Sequence, residues 1–377
     1  MAGIYIHVPF CYTRCSYCDF YKTTEQQFKG EYIKALCKEI SINRSFLQEE
    51  DIRTLYFGGG TPSTLSASEL KIILDKLFAY TSGNIIEELT LEINPDDVSD
   101  QYIKQLVSLG FNRLSMGVQS FFDAHLRKMN RRHNARQAHD AIRIARENGI
   151  DNMSIDLIYG LPYMTFDEWQ SNVQQAIDSG VQHISAYHLT FEKGTLYYDY
   201  LKKGKLKEIP EETSVQQFEY LVEALERAGY INYEISNFAL PGCESKHNSS
   251  YWSGQKYLGL GPSAHSFDGQ NRSWNVRDIK RYCTAINDGA KYQEQELLDE
   301  VDRYNELIML GLRVKNGFDL RLVESFNKEI VQYFNQQLHR QKVAGNVQIV
   351  EGFCCVAAGK KMITDGIIAD FFYVNAE

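Results

Sequence analysis

The sequence lacks four features that would each place it in a familiar class of protein. Its 377 residues contain no run of about 18 consecutive apolar residues, so we expect no membrane-spanning helix. The apolar core and cleavage site of a secretion signal are missing at the start, and we therefore expect a cytoplasmic protein. Basic residues are not in excess, since 40 Lys and Arg stand against 49 Asp and Glu, which argues against broad nucleic-acid binding. No internal repeat or low-complexity linker is evident.

The eight cysteines are a poor basis for a disulfide framework. Cys37 and Cys283 lie in helix-like sequence, and Cys354 directly precedes Cys355. We therefore expect reduced thiols and a metal site instead of disulfides.

Three cysteines, Cys11, Cys15 and Cys18, form a C-x3-C-x2-C run. A structural zinc site uses four ligands, and an ordinary ferredoxin cluster uses four cysteines. Three thiolates would leave one iron of a cluster open to a substrate. Two other interpretations stay open at this point: a zinc knuckle completed by His7, or three unrelated buried thiols.

This spacing, with Tyr17 before the last cysteine, resembles the signature of the radical S-adenosylmethionine (SAM) superfamily. In that superfamily the amino and carboxylate groups of SAM chelate the unique iron of a 4Fe-4S cluster. One electron then breaks a carbon–sulfur bond and releases a 5'-deoxyadenosyl radical. The resemblance implies that the three cysteines hold such a cluster.

Short β-rich runs alternate with amphipathic stretches of helical length, which predicts an α/β protein with a parallel sheet and crossover helices. The predicted strands are Ile4–Val8, Arg53–Phe57, Leu89–Ile93, Arg113–Val118, Asn152–Tyr159 and His183–Thr190. The predicted helices are Glu25–Arg44, Ala67–Tyr80, Ser99–Leu109, Ala135–Asn148 and Thr165–Ser179. The pattern alone fits an open sheet as well as a curved one, whereas the superfamily resemblance implies a partial (β/α)6 barrel. In both, we expect the chemistry at the carboxyl ends of the strands.

Unusual residues do follow the predicted strands. The second strand runs into Gly58-Gly-Gly-Thr-Pro-Ser63, whose glycines allow backbone groups to approach a ligand closely. It is not a P-loop because no Lys follows in the required place. A plain tight turn is the alternative. Glu92 ends the third strand and could accept hydrogen bonds from ribose hydroxyls, although alone it would be read as a surface charge.

Six segments in order resemble the oxygen-independent coproporphyrinogen III oxidase-like family, which has a porphyrinogen dehydrogenase branch and a heme chaperone branch. The segments are Tyr5-Ile-His-Val-Pro-Phe-Cys11, Phe57-Gly-Gly-Gly-Thr-Pro62, Glu92-Ile-Asn-Pro95, Gly117-Val-Gln-Ser120, Ile155-Asp-Leu-Ile-Tyr-Gly-Leu-Pro162 and Gly259-Leu-Gly-Pro-Ser-Ala264. The resemblance implies a SAM site made of Tyr5, Gly59, Gly60, Thr61, Glu92, Gln119, Arg131 and Asp156.

Within that site, the family pattern pairs Arg131 with the SAM carboxylate, and Glu92 and Asp156 with its sugar. A guanidinium can bind a carboxylate through two hydrogen bonds, which explains why an arginine would suit this role at position 131. Because Arg132 is adjacent and the helix register is uncertain, a solvated arginine remains the alternative.

Two departures from the dehydrogenase branch favour the chaperone branch. The dehydrogenase has a fourth cysteine two residues after the third, where this chain has Phe20. It also has a sizeable segment before its cluster motif, whereas Cys11 lies ten residues into this chain. These differences argue against oxidative decarboxylation of coproporphyrinogen.

The segment His247-Asn-Ser-Ser-Tyr251-Trp252 resembles the H-N-x-x-Y-W heme-binding motif of the chaperone branch. A neutral imidazole is a common axial ligand of heme iron. We expect ligation by one exposed histidine, His247, because transfer needs reversible binding. A hydrogen-bonded surface histidine beside a domain-packing patch is the alternative, and Cys243 is another candidate ligand.

The last part of the chain is acidic and helix-rich, and it resembles the winged-helix-like C-terminal domain of the family. We expect helices at Leu297–Leu312, Leu320–Ser325 and Glu329–Gln341, and strands at Val347–Val350, Cys354–Ala358 and Ile367–Ala369. The predicted domains are a radical SAM barrel over residues 1–195, a connecting region over 196–295 and a lid or partner-docking domain over 296–377.

Taken together, the sequence predicts a heme chaperone that binds a 4Fe-4S cluster, SAM and heme and delivers heme to recipient hemoproteins or respiratory enzymes. We expect a carrier more than a catalyst and assign no catalytic residue. A homodimer and peripheral membrane association stay open. The alternatives are an oxygen-independent coproporphyrinogen III dehydrogenase, a radical SAM enzyme with another substrate, and a zinc or structural-cluster protein without activity.

Overall fold

A computed structural model describes residues 2–81, 83 and 85–374 of the chain. The strands are β1 (Ala2–Val8), β2 (Ile52–Gly59), β3 (Glu88–Ile93), β4 (Arg113–Gln119), β5 (Met153–Tyr159), β6 (His183–His188), β7 (Ile231–Asn232), β8 (Asn237–Ala239), β9 (Tyr257–Leu260), β10 (His265–Phe267), β11 (Asn271–Asn275), β12 (Gln293–Leu297), β13 (Phe318–Asp319), β14 (Val347–Val350) and β15 (Phe353–Val356).

The helices connect these strands and cover the sheet. They are α1 (Lys29–Ile42), α2 (Arg44–Glu49), α3 (Ala67–Phe78), α4 (Asp100–Ser108), α5 (Asp123–Lys128), α6 (Ala135–Glu147), α7 (Phe166–Asp178), α8 (Leu196–Lys202), α9 (Glu211–Arg227), α10 (Lys246–Trp252), α11 (Ile279–Asp288), α12 (Glu300–Gly311), α13 (Lys328–Val343) and α14 (Thr364–Phe371). No helix of the described residues is long and apolar enough to cross a membrane.

Strands β1 to β6 pair in parallel and in chain order, which confirms the six predicted βα units. Three crossover helices begin at capping boxes formed by Ser66, Asn134 and Thr165, whose side chains accept from the backbone three residues later. Each helix therefore starts close to its predicted position. Because all six strands are parallel, their carboxyl ends meet at one edge of the sheet.

The sheet is larger than predicted, because residues 196–295 contribute six further strands. Its order is β12-β11-β10-β9-β1-β2-β3-β4-β5-β6-β8-β7. Strand β9 pairs in parallel with β1, and β10 to β12 continue the sheet in antiparallel fashion. A Cβ on Gly259 would lie 2.0 Å from the carbonyl oxygen of His265, so glycine permits the close approach of β9 and β10. These strands have two to five residues and no clear alternation, which explains why the sequence did not reveal them.

A small C-terminal domain has its own sheet, in the order β13-β15-β14, and its own apolar core. The predicted strand Ile367–Ala369 is wrong, because this segment lies in α14. Ile367, Ile368 and Phe371 are buried on one side of that helix. A short apolar run does not distinguish a buried helix from a strand. The limits of the three domains and the winged-helix resemblance stay predictions.

Candidate functional site

The cysteine loop follows β1 directly and is fixed at both ends. The backbone of Cys11 donates to the carbonyl of Thr23 at 2.9 Å, and that of Ser16 donates to Met129 at 3.0 Å. Cys11 is buried, while Cys15 and Cys18 are partly exposed. All eight cysteines are free thiols, as expected.

Burial shifts two thiols of the cysteine loop towards their protonated form. Burial, with the charges of Cys15 and Cys18, raises the pKa of Cys11 to about 11, and burial raises the pKa of Cys18. Thiolates at this position therefore need a cation to offset burial, which iron supplies. In the described residues, no group of three or more His, Cys, Asp and Glu side chains is arranged to hold a metal ion. A 4Fe-4S cluster has its thiolates farther apart than one ion does.

The glycine turn after β2 packs on this loop. The backbone of Gly60 donates to Val8 at 2.9 Å, and that of Thr61 donates to Phe10 at 2.8 Å. The Thr61 hydroxyl lies 3.3 Å from the Cys11 sulfur. Gly59 has a φ of 109°, and a Cβ there would lie 2.5 Å from the His7 ring. The turn therefore requires glycine and holds its backbone beside the cysteines.

Two carboxylates line the barrel interior, Glu92 on β3 and Asp156 on β5, with β4 between these strands. Glu92 accepts from the Tyr56 hydroxyl at 2.9 Å and from the backbone of Gly59 at 3.0 Å. Burial, with the nearby charge of Asp156, raises the pKa of Glu92 to about 7. Burial also raises the pKa of Asp156 to about 6. Both side chains are partly accessible, so each keeps lone pairs for a polar ligand.

Arg131 connects the cysteine loop to the rim of the sheet. Its Nη1 lies 3.4 Å from the Cys15 sulfur, and its Nη2 donates to the Asn94 side chain at 2.7 Å and to the Gly117 carbonyl at 2.6 Å. Its Nε is buried and has no hydrogen-bond partner. The guanidinium therefore has a donor left for a ligand at the site.

Arg132 is engaged with other groups, so the structure distinguishes which of the two adjacent arginines faces the site. It forms ion pairs of 2.7 Å with Asp96 and with Asp97, and its guanidinium lies 4.6 Å from the centre of the Tyr12 ring. Since Arg131 bonds Asn94 and Gly117 while Arg132 is engaged with Asp96 and Asp97, the alternative of a solvated arginine does not describe Arg131.

Gln119 and Tyr5 complete the set of residues predicted for SAM. Gln119 is buried and has a φ of 67°, a conformation that is uncommon for a residue other than glycine and is found at functional sites. The Tyr5 ring stacks on Tyr56, with centroids 6.1 Å apart, and its hydroxyl lies 3.1 Å from Nδ1 of His7. Six of the eight predicted residues therefore lie at or just beyond the carboxyl ends of the strands, whereas Tyr5 and Asp156 lie midway along β1 and β5.

His247 lies at the opposite end of the barrel, and the expectation that it is exposed is wrong. The side chain is 1 % exposed. Its Nδ1 lies 2.8 Å from the Thr54 hydroxyl and its Nε2 2.9 Å from the Tyr251 hydroxyl. Burial lowers the pKa of His247 to about 3, so the ring is neutral.

The reason for this burial is the position of α10. The Glu88 carboxylate accepts from the backbone of Lys246 at 2.8 Å and of His247 at 3.0 Å, which holds the start of α10 against the amino end of β3. From there the His247 ring enters the barrel and stacks on Tyr56. A motif of six residues does not indicate which side of its helix faces the core.

Sequence reasoning missed three polar residues of the barrel interior. Tyr56 bonds Glu92, Asn94 bonds Arg131, and Arg113 is 1 % exposed with Nε and Nη1 free of hydrogen-bond partners. Strand parity could have found two of them, since Tyr56 lies two residues before Gly58 and Arg113 four before Gly117.

Family models match two parts of the chain. The Radical SAM superfamily model matches residues 5–176, and the HemN C-terminal domain model matches residues 298–356. The described cysteine loop and all predicted SAM residues lie within the first match.

Curated relatives match the chain over most of its length. The heme chaperone HemW of Bacillus subtilis is 36 % identical over 334 residues, 88 % of this chain and 88 % of that protein. The heme chaperone HemW of Lactococcus lactis is also 36 % identical, over 89 % of each chain. Among solved structures, coproporphyrinogen III oxidase (HemN) of Escherichia coli has a TM-score of 0.84 at 22 % identity, over 98 % of this chain and 90 % of that one, which shows a shared fold.

Proposed function

Because this chain belongs to the family of the heme chaperone HemW, within the radical SAM superfamily, we propose that it carries heme and delivers it to recipient hemoproteins or respiratory enzymes. The family implies a 4Fe-4S cluster and SAM as cofactors. Heme binding is inferred from the relatives, which are heme chaperones. Delivery of heme to a recipient protein is the part that experiment has to test.

The observation that carries the proposal is the convergence of three thiols, a glycine turn, two carboxylates and one arginine at a single edge of the barrel. A 4Fe-4S cluster held by Cys11, Cys15 and Cys18 supplies one-electron chemistry and an iron position for SAM. Arg131 already lies beside Cys15 and keeps a buried Nε without a partner. We propose that this guanidinium binds the SAM carboxylate.

The remaining SAM contacts follow from the same geometry. Glu92 and Asp156 are proposed to accept from the ribose hydroxyls. The backbone of Gly59, Gly60 and Thr61 would contact the methionine end. We propose that Gln119 and Tyr5 line the nucleoside side of the pocket, where their polar atoms face the barrel interior.

A carrier is favoured over the dehydrogenase by the residue after the cysteine motif. Phe20 stands where the dehydrogenase pattern has a fourth cysteine, and its side chain is 66 % exposed. An exposed phenyl ring supplies no ligand, acid or base. We therefore propose that coproporphyrinogen is not turned over, and that the cluster and SAM regulate binding or release of heme.

We still propose His247 as a heme ligand, provided that the structure around it can open. Since both ring nitrogens are hydrogen-bonded and the ring is buried, ligation would require α10 to leave the barrel and the Tyr251 bond to break. A cytoplasmic location, a homodimer and peripheral membrane association are further parts of the proposal. Sedimentation of the chain with and without heme and vesicles tests the last two.

The experiment compares binding with turnover. Protein reconstituted anaerobically with iron and sulfide is assayed for iron content, for SAM binding by equilibrium dialysis and for heme binding by the Soret band. The same preparation is incubated with coproporphyrinogen III, SAM and a reductant. We expect four irons, one SAM and one heme per chain, and no protoporphyrinogen IX. Formation of protoporphyrinogen IX over many turnovers would show that the protein is a dehydrogenase and not a carrier. A preparation that contains zinc and no iron would contradict both functions.

A further inference from the structure

A groove runs along the outer side of α13 in the C-terminal domain. It has a volume of about 890 Å³ and lies between α13 and the short 3-10 helix before it, Leu320–Ser325. The part of α13 that lines it begins at Lys328 and ends at Arg340. Over this part the helix rises by roughly 18 Å, because each residue adds about 1.5 Å. The groove is therefore long enough for a segment of another protein.

The polar residues of the groove form one stripe on the exposed face of α13. They recur three or four positions apart, and residues at this spacing are neighbours on a helix surface. The stripe consists of Lys328, Gln332, Asn335, Gln336, His339 and Arg340, and all six side chains are exposed. The opposite face of α13 holds Ile330 and Phe334, which are buried in the apolar core of the domain. The core therefore fixes the direction in which the stripe points.

This stripe differs from the exposed faces of other helices, where opposite charges pair. In α3, Lys71 pairs with Asp75 at 2.7 Å, and in α6, Arg143 pairs with Glu147 at 2.7 Å. Within the described part of the chain, no hydrogen bond or ion pair joins a side chain of the stripe to another residue. Neighbours in the stripe are amides, cations and one histidine, so no carboxylate neutralises the cations from within it. Its donors and acceptors stay available to a partner.

The groove is cationic although the chain as a whole is acidic. Lys328 and Arg340 stand at the two ends of the stripe, and Glu324 is the only carboxylate among the described residues that line the groove. The whole chain has 49 Asp and Glu against 40 Lys and Arg. Opposite charges on two proteins speed their encounter and select the partner. The groove therefore favours an acidic partner.

The uncharged residues of the groove restrict the shape of that partner. Phe326 and Val331 are half-buried and give the groove an apolar surface. An amide both donates and accepts, so Gln332, Asn335 and Gln336 can pair with main-chain groups. An extended chain rises about 3.3 Å per residue, so roughly five or six residues span the stripe. This chemistry fits a short extended segment with carboxylates and an apolar side chain.

One helix, α12, connects the groove to the helix that carries the proposed heme ligand. The ring of Phe326 packs edge-on against Tyr304 of α12, with centroids 5.7 Å apart. Helix α12 also contacts α10, which contains His247. A protein bound in the groove is therefore one helix away from α10. That position suits a protein that receives heme.

We propose that the groove along α13 is the docking site for the recipient of heme, which presents an extended acidic segment to it. The inference rests on the proposed function, because it names where the carrier holds the protein that it serves. A second copy of this chain fits less well, since two grooves facing each other across a two-fold axis oppose Lys328 of one copy to Arg340 of the other. Nucleic acid fits less well, because two cations neutralise few phosphates.

The test measures transfer of heme from the full-length, cluster-reconstituted chain to a heme-free b-type respiratory cytochrome. The groove variant is Lys328→Glu with Arg340→Glu. The matched control is Lys104→Glu with Arg136→Glu, which makes the same change of charge at exposed positions of α4 and α6. We expect the groove variant to lower the acceptor-dependent rate constant by roughly tenfold or more, and the control to stay within about twofold of wild type. A Soret titration should give all three proteins the same heme affinity.

Salt supplies a second readout, which a merely structural role of the two cations would not change. Exposed charges are screened by salt, so the acceptor-dependent rate of wild type should fall as sodium chloride is raised from roughly 0.05 M to 0.5 M. The groove variant has lost the attraction and should respond weakly. A wild-type rate that does not change with salt overturns the inference.

The outcomes separate the inference from the function. A wild-type rate that does not rise with acceptor concentration overturns the proposed function itself. A wild-type rate that does rise, with the groove variant no slower than the control, overturns the inference and leaves the function standing. Loss of heme affinity in the groove variant also overturns the inference. So does a change in its sedimentation coefficient, which assigns the groove to a second copy, or wild-type binding of random-sequence duplex DNA that the variant loses.

Discussion

The imidazole of His247 stacks on the phenol ring of Tyr56, with centroids 5.1 Å apart and ring planes 21° from parallel. The Tyr56 hydroxyl donates to Glu92 at 2.9 Å, and Glu92 accepts from the glycine turn beside the cysteines. Two motifs that are 155 positions apart in sequence, at Glu92 and His247, thus touch the same tyrosine from opposite ends of the barrel. A single side chain therefore contacts both motifs.

Replacement of Tyr56 by phenylalanine keeps the ring but removes the donor to Glu92. A hydrogen bond to a charged group contributes about 1.5–3 kcal/mol, so we expect SAM binding to weaken by roughly tenfold or more. Equilibrium dialysis of reconstituted protein measures this. Tyr102→Phe is the control, because it removes a hydroxyl that donates to Leu65 at 2.8 Å, outside the set of SAM residues. Equal SAM affinity in wild type and Tyr56→Phe would show that Glu92 does not need this donor.

The adjacent arginines allow a matched comparison. Arg131→Lys removes the fork that reaches Cys15, Asn94 and the proposed SAM carboxylate, so we expect SAM affinity to fall by about tenfold to a hundredfold. Arg132→Lys changes the pairing with Asp96 and Asp97 and the contact with the Tyr12 ring, none of which belongs to the proposed SAM site, so SAM affinity should stay within about twofold. The same dialysis experiment checks both. A larger loss in Arg132→Lys than in Arg131→Lys would reverse our placement of the two residues.

His247→Ala is expected to destabilise the fold itself. The substitution leaves the Thr54 and Tyr251 hydroxyls without their partner and opens a cavity beside Tyr56. Buried large-to-small changes of this kind cost about 2–4 kcal/mol of the free energy of unfolding. Urea denaturation monitored by circular dichroism measures the loss, and His339→Ala should change the midpoint little. If His247→Ala were as stable as wild type, the ring would not be part of the core.

Glu92 makes the stability of the SAM-free protein depend on pH. Its pKa is raised to about 7 in the folded state by burial and by Asp156, above the ordinary value of 4.5. Between those values the folded state binds more protons than the unfolded state, so the stabilising contribution is complete below about pH 4.5 and is lost as the pH rises towards 7. We expect the free energy of unfolding of wild type, relative to Glu92→Gln, to fall between pH 5.5 and 8. A difference that stays constant over this range would show that Glu92 is ionised at an ordinary pKa.

The sequence predicts the six βα units and the rim residues because strong local signals mark them. Glycine at Gly58 to Gly60, cysteine spacing and carboxylates at strand ends each have a chemical reason that does not depend on distant contacts. The expectation for His247 failed for the opposite reason. Its burial depends on Glu88, Thr54 and Tyr56, which are distant in sequence and meet it only in the folded sheet.

The strands β9 to β12 illustrate the same limit. They are short, and their polar and apolar residues do not alternate clearly. Their register is set by the pairing of β9 with β1 and by the close approach of β10 to β9 at Gly259. His265 therefore had no distinguishing signal in the sequence, although folding brings it beside Trp274. Arg113 is a different case, because its parity with Gly117 on β4 could have placed it on the barrel interior.

The central claim is that this chain passes heme to another protein, and the most direct measurement is the rate of that transfer. Cluster-reconstituted protein loaded with one hemin is mixed anaerobically with a heme-free b-type respiratory cytochrome, and the absorbance of the acceptor is followed at increasing acceptor concentrations. Direct delivery predicts a rate that rises with acceptor concentration and exceeds the rate of release into buffer. A rate that equals passive release at every acceptor concentration would contradict the account, because heme would then leave the chain without a carrier step.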